Sequence, residues 1–189
     1  ARVNIAAYSS KYKDIQRTVT IGPTQTLANA ANAKIKGFEI ETQFLPLPGF
    51  ELVGNLGYTD AKFDEFLNLD VNGGGYDPNI DPVLAKRLKF ERVPKWTGYA
   101  SASYTHELPG WDARFISRIN YSYQSSIYFD VLNEIHQDPV GLLGASLTLE
   151  KDRYKITVFG RNLTNRDFAD QGSRFNVGPG ANGVAHHVW

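Results

Sequence analysis

The chain has 189 residues, enough for one domain with a sizeable core, and its 20 Lys and Arg balance its 20 Asp and Glu. That neutrality leaves no basic footprint for nucleic acid and no polybasic membrane anchor. Cysteine is absent, which excludes disulfides, thiolate metal sites and a cysteine nucleophile; methionine is absent too, so the expectation is a processed or excised piece of a longer chain.

No window approaches the ~18 apolar residues of a membrane helix, and no charged segment followed by an apolar stretch opens the chain as a signal peptide would. Low average hydropathy does not exclude the membrane, because spanning strands alternate apolar and polar residues. Ten Tyr, eleven Phe and three Trp suit strands, and they suit the two aromatic girdles of a membrane barrel.

In chain order, the first segment alternates weakly: Val3, Ile5 and Ala7 oppose Arg2 and Asn4, fading toward Lys11. A loop is expected over 20–33. In 37–45, Phe38, Ile40, Thr42 and Phe44 oppose Glu39, Glu41 and Gln43, and in 50–58 Phe50, Leu52, Leu56 and Tyr58 oppose Glu51 and Asn55. A long loop over 65–92 follows. In 94–107, Trp96, Gly98, Ala100, Ala102 and Tyr104 face one side, and Lys95, Thr97, Ser101, Ser103 and Thr105 the other. The longest alternation runs from Trp111 to Asp130. It sets Trp111, Phe115, Ile119, Tyr121 and Phe129 against Arg114, Arg118 and Asn120, and would reach ~65 Å fully extended. After a loop at 130–139, Leu143, Ala145, Leu147 and Leu149 oppose Ser146, Thr148 and Glu150. Tyr154, Ile156 and Val158 then oppose Arg153, Lys155, Thr157 and Arg161, and everything after Asn165 reads as loop.

Three connections are short: Pro46-Leu-Pro-Gly49, Leu108-Pro-Gly110 and Glu150-Lys-Asp152, where Pro and Gly supply the φ values of tight turns. The rest are long, and short and long alternate. The fold class expected is therefore all-β, an antiparallel meander of about seven long strands forming part of a transmembrane β-barrel, with short periplasmic turns and long extracellular loops. One open domain fragment over 1–189 is expected, because seven strands are odd where closure favours an even number. The competing architecture is a secreted aromatic-rich β-sandwich that binds glycans; a soluble up-and-down barrel would need an apolar interior, and the second face here is charged.

Particular stretches, in this order along the chain, resemble the C-terminal barrel of TonB-dependent outer-membrane receptors. They are Tyr8-Ser-Ser-Lys-Tyr-Lys-Asp-Ile-Gln16, Ala33-Lys-Ile-Lys-Gly-Phe-Glu-Ile-Glu41, Asn55-Leu-Gly-Tyr-Thr-Asp-Ala-Lys-Phe63, Val93-Pro-Lys-Trp-Thr97 and Gly160-Arg-Asn-Leu-Thr-Asn165. The resemblance covers roughly 1–168. It implies a location in the Gram-negative outer membrane and a barrel of about 22 strands around an N-terminal plug, with a TonB box contacting an inner-membrane energy complex. The cargo it implies is a scarce nutrient such as a siderophore–iron chelate, with cobalamin, haem or sugars as other classes. Against that pattern the plug, the TonB box and the final strand are missing, so this stretch is expected to transport nothing alone. A passive porin is the lesser alternative.

No catalytic constellation is present, and no cofactor or metal is expected. His106, His136, His186 and His187 sit at turns and loops without a paired nucleophile, and adjacent loop histidines are more often solvated than ligating. Asp70-Val-Asn-Gly-Gly-Gly-Tyr-Asp-Pro-Asn-Ile-Asp81 partly imitates a calcium loop, but it lacks the ligand at position 5 and the closing Glu. The candidate ligand contacts are loop residues Tyr76, Asp77, Asp81 and Arg174. Glu39, Glu41, Arg114, Arg118 and Arg161 are expected to face the lumen, pairing with a plug or with each other across strands. Trp96, Tyr104, Trp111, Tyr121 and Phe129 are expected to face outer-membrane lipid.

Overall fold

The computed structural model describes residues 1–21, 24–66, 87–130, 133–176 and 182–188. Alternating stretches become strands, in chain order β1 (Arg2–Ile21), β2 (Thr24–Leu47), β3 (Phe50–Phe66), β4 (Trp96–Leu108), β5 (Ala113–Gln124), β6 (Ile127–Tyr128), β7 (His136–Gln137), β8 (Val140–Lys151), β9 (Tyr154–Gly160), β10 (Ala169–Asn176) and β11 (Asn182–Val188). Seven of them form one antiparallel sheet in the order β1-β2-β3-β4-β5-β8-β9, so each strand lies beside its predecessor in the meander. Among the described residues β1 and β9 do not pair and the sheet stays open; no second sheet is layered on it as a sandwich requires.

The register preserves the alternation across all seven strands. Ile5 faces Ile40, Ile40 faces Leu56, Leu56 faces Gly98, and Gly98 faces Tyr123, so one apolar surface runs across the sheet. The opposite surface carries Glu41 beside Asn55, then Tyr99, Ser122 and Leu142 in the neighbouring strands. Two-residue periodicity makes this outcome all or nothing, since a slip of one residue would invert every side chain of a strand.

Tight turns lie at one end. Gly49 has φ +79° and its carbonyl accepts from the Thr105 amide at 2.7 Å. Asp112 (φ +48°) and Asp152 (φ +51°) take the left-handed conformation that short polar residues tolerate. At the other end β1 and β2 continue as a ribbon past the rest of the sheet. The loop expected over 20–33 is instead strand, with Gln16↔Asn29 through Ile21↔Thr24 paired. Bulges at Tyr12/Ile15 and Asn32/Ala33 absorb the change, with Asp14 at φ +54° accepting the first kink.

The expected 111–130 strand is also corrected. β5 stops at Gln124, where Ser125 Oγ accepts from the Trp96 amide at 3.0 Å and the Ser125 amide donates back to the Trp96 carbonyl at 2.9 Å. The chain leaves the sheet there and folds back through β6 and β7. The segment after Asn165 is not all loop either: β10 and β11 pair as a ribbon whose base joins Ala169 to Val188.

Packing is concentrated at the loop end, since a single sheet has no interior of its own. Ala31, Ala33 and Phe63 on the polar-face side are covered by Leu88, with Phe90 stacked on Phe63 at 4.0 Å. A second cluster joins Ile127, Phe129 and Ile135 against Ala169. Phe129 is 8% exposed in it. Its expected place in a lipid-facing girdle is therefore wrong: the alternation that seemed to carry it outward ends with β5.

Candidate functional site

The polar face divides into two zones. Near the tight turns it is a ladder of cross-strand bonds. Arg114 donates to Glu150 at 2.8 Å, Lys155 reaches the other oxygen of Glu150 at 2.8 Å, and Thr148 meets Thr157 at 2.9 Å. Toward the β1 edge of the same face Asn4 donates to Glu41 at 3.2 Å, and Gln43 to Glu51 at 2.6 Å. Each carboxylate here meets a donor on an adjacent strand, so these residues hold register and need no outside partner.

The second zone is a concavity of about 840 Å³ toward the loop end, across β4, β5, β8 and β9. Tyr99, Arg118, Asn120, Phe159, Arg161 and Asp170 contribute to its lining. β5 places Arg118 and Asn120 on the polar face two residues apart, and β4 brings Tyr99 opposite Ser122. β9 ends at Gly160, and Arg161 lies just beyond with its guanidinium 5.4 Å from the centre of the Phe159 ring. Asn162 (φ +49°) then turns the chain: its side chain exchanges hydrogen bonds with Arg166, each at 2.9 Å. Among the described residues neither Arg118 nor Arg161 forms a salt bridge. Two guanidiniums and two aromatic rings lining one concavity suit a planar or anionic oxygen-rich ligand.

Of the five residues expected on the polar face, Arg118 and Arg161 come together in this concavity, Arg114 and Glu41 belong to the ladder, and Glu39 stands on the same face in β2. Trp96, Tyr104 and Tyr121 lie on the apolar face, where Trp96 packs with Tyr58 (4.6 Å) and Phe38 (6.0 Å). Trp111 ends the 3-10 turn Pro109–Trp111 and is 67% exposed, so strand periodicity does not assign it a face. Tyr76, Asp77 and Asp81, with the calcium-like stretch, lie outside the described residues, and Arg174 has only its backbone described, paired with Val184.

Sequence reasoning missed Tyr99 and Phe159. The available signal was an aromatic at a polar-face position, which periodicity treats as noise. It also missed the hydrogen-bonded loop body that meets the concavity at Asp170. Lys89 and Asn133 exchange hydrogen bonds (2.6 and 3.1 Å), Asp130 accepts from the amides of Glu134 and Ile135, and Arg92 donates to the Asp170 carbonyl at 3.1 Å. These bonds tie three loops into one body, and two of them, Lys89 to Asn133 and Arg92 to Asp170, join residues too distant in sequence for any pattern to show.

Comparison with known proteins matches residues 1–165 to the family described as TonB dependent receptor-like, beta-barrel. Among solved structures, the ferric yersiniabactin uptake receptor FyuA from Yersinia pestis is similar at TM-score 0.71 and 22% identity, over 98% of this chain and 25% of that one. The siderophore receptor PiuA from Acinetobacter baumannii is similar at 0.68 and 17%, over 98% of this chain and 24% of that one. The ferric preacinetobactin receptor BauA from Acinetobacter baumannii is similar at 0.60 and 15%, over 97% and 25%. The chain thus spans about a quarter of the length of these structures.

Proposed function

Because the chain belongs to the TonB-dependent receptor-like β-barrel family, we propose that it is a stretch of barrel wall in an outer-membrane receptor that imports an anionic siderophore–iron chelate. In this reading the apolar face meets lipid, with Trp96, Tyr104 and Tyr121 in the girdles, and the polar face lines the lumen. The tight turns are periplasmic and the long loops extracellular. The parent receptor supplies a plug and the contact to a TonB energy complex.

The observation that carries the substrate class is the concavity lined by Arg118, Tyr99 and Phe159, with Arg161 over the Phe159 ring. A chelate bearing carboxylate, catecholate or hydroxamate oxygens is complementary to both the cations and the rings. Similarity to three siderophore or ferric-siderophore receptors supports the same class.

The test is uptake of radiolabelled iron chelates by iron-starved cells expressing the full-length receptor. Double substitution Arg118→Gln and Arg161→Gln should weaken chelate binding about tenfold or more, because each lost charge-assisted hydrogen bond is worth roughly 1.5–3 kcal/mol before solvent screening. Unchanged affinity, or uptake that persists without TonB, would refute the reading.

A further inference from the structure

The apolar face does not remain apolar to the loop end. Just beyond the Phe38–Tyr58–Trp96 cluster it becomes a field of lysines. Lys11 of β1 stands opposite Lys34 of β2, and Lys34 stands opposite Lys62 of β3, so three ammonium groups occupy one row across three adjacent strands. All three belong to unbroken registers with the apolar side chains below: Lys11 with Val3, Ile5 and Ala7, Lys34 with Phe38 and Ile40, and Lys62 with Tyr58. One step lower, Lys36 faces Asp60. Lys95, expected on the polar side, precedes β4 and holds its ammonium 5.6 Å from the centre of the Tyr58 ring, on this same surface.

One carboxylate serves the row. Asp60 lies 3.1 Å from Lys62 and 3.8 Å from Lys36. Among the described residues no carboxylate is within ion-pair distance of Lys11 or Lys34. Asp14 and Asp64, the next acids along these strands, sit in the two bulges. Like charges directly opposite each other on neighbouring strands repel and destabilise the pairing. A row of three, held above an aromatic belt, calls for an anion outside the protein.

We propose that Lys11, Lys34 and Lys62, flanked by Lys36 and Lys95, form a binding site for the phosphate groups of a glycolipid in the outer leaflet of the membrane. This rests on the proposed orientation, with long loops outward, but not on the identity of the imported cargo. Lys36 lies two positions and Lys34 four positions from Phe38, which places their Cα atoms about 7 and 13 Å beyond that of Phe38 along the strand. That is the depth at which acyl chains give way to headgroups when the aromatics mark the boundary. Lysine stems lie along apolar surface while their charged ends reach into this polar layer. A phosphate carries the charge density that a compact ammonium prefers, and phosphates spaced along a glycolipid headgroup can engage several members of the row at once.

The test uses the full-length receptor in nanodiscs of zwitterionic phospholipid, titrated with a bisphosphorylated glycolipid and with its dephosphorylated form. The wild type should bind the phosphorylated form about tenfold or more tightly, with a preference that weakens as salt is raised. The triple variant Lys11→Gln, Lys34→Gln, Lys62→Gln should lose that preference, and Lys11→Arg, Lys34→Arg, Lys62→Arg should keep it. Equal affinity of the wild type for the two glycolipids would overturn the proposal, whether or not the Gln variant folds. So would full retention of the preference in a folded Gln variant, or capture of an acidic soluble protein with no glycolipid bound. Labelling of the Arg92→Cys variant on intact cells with a membrane-impermeant reagent checks the orientation separately, and failure there would overturn the orientation and the outer-leaflet site with it, leaving the identity of the cargo untouched.

Discussion

The Tyr8 hydroxyl lies 2.9 Å from the Thr59 hydroxyl, although the two residues belong to strands separated by β2. The tyrosine ring reaches across because the residue between them is Gly37, paired with Tyr8 on one side and Thr59 on the other. A Cβ at Gly37 would stand 2.6 Å from the Tyr8 oxygen and would also run into the Tyr58 carbonyl. Glycine is thus required in β2 so that an aromatic on β1 can lie over it and lock three strands together.

The Gly37→Ala variant should destabilise the folded receptor by about 1–3 kcal/mol, the usual range for forcing extra atoms into a filled space. Tyr8→Phe removes only the hydroxyl contact and should cost about 1 kcal/mol. Urea titration of the receptor in lipid vesicles, followed by tryptophan fluorescence, distinguishes the two. A larger loss for Tyr8→Phe than for Gly37→Ala would contradict this steric account.

The two faces should respond oppositely to charge. Ala102 lies between Leu52 and Ile119 on the apolar face, so Ala102→Arg should cost about 2–4 kcal/mol in the membrane-inserted state. Ser101, between Val53 and Asn120 on the other face, should accept Ser101→Arg with a much smaller loss. Reversible folding into vesicles measures both, and a smaller penalty at position 102 than at 101 would invert the assignment of faces.

Phe129 anchors the loop body rather than the sheet. Its ring packs on Ile135, and a Cβ added at Gly172 would come within 2.9 Å of it. Phe129→Ala should loosen this cluster by roughly 3 kcal/mol, a typical cost for emptying a buried aromatic site. Because the cluster stands outside the seven-stranded sheet, the loss should be local. Hydrogen exchange should accelerate at Ile135 and Gln137 while β4 and β5 keep their protection; uniform acceleration across the sheet would show that the two bodies unfold together.

Much of this architecture is written in period two. The faces of β2, β3, β4, β5, β8 and β9 follow from alternation alone, because a strand offers each side chain only two directions and one buried or lipid-facing surface selects between them. The tight turns at Gly49, Asp112 and Asp152 follow from residues that accept positive φ. Family membership followed from motif order, and the structure adds reasons for some of those motifs: Gly37 seats Tyr8, and Asn162 with Asn165 (φ +48°) turns the chain out of β9. What the sequence could not determine by itself is where alternation stops being sheet. Ile127 and Phe129 continue the pattern of β5 without a break, yet Ser125 and Trp96 close the ladder and send them into the loop cluster. The Arg118–Arg161 concavity and the Lys11–Lys34–Lys62 row were equally hidden, for the same physical reason. Each joins residues 23 or more positions apart, and only the register between strands decides which distant side chains become neighbours.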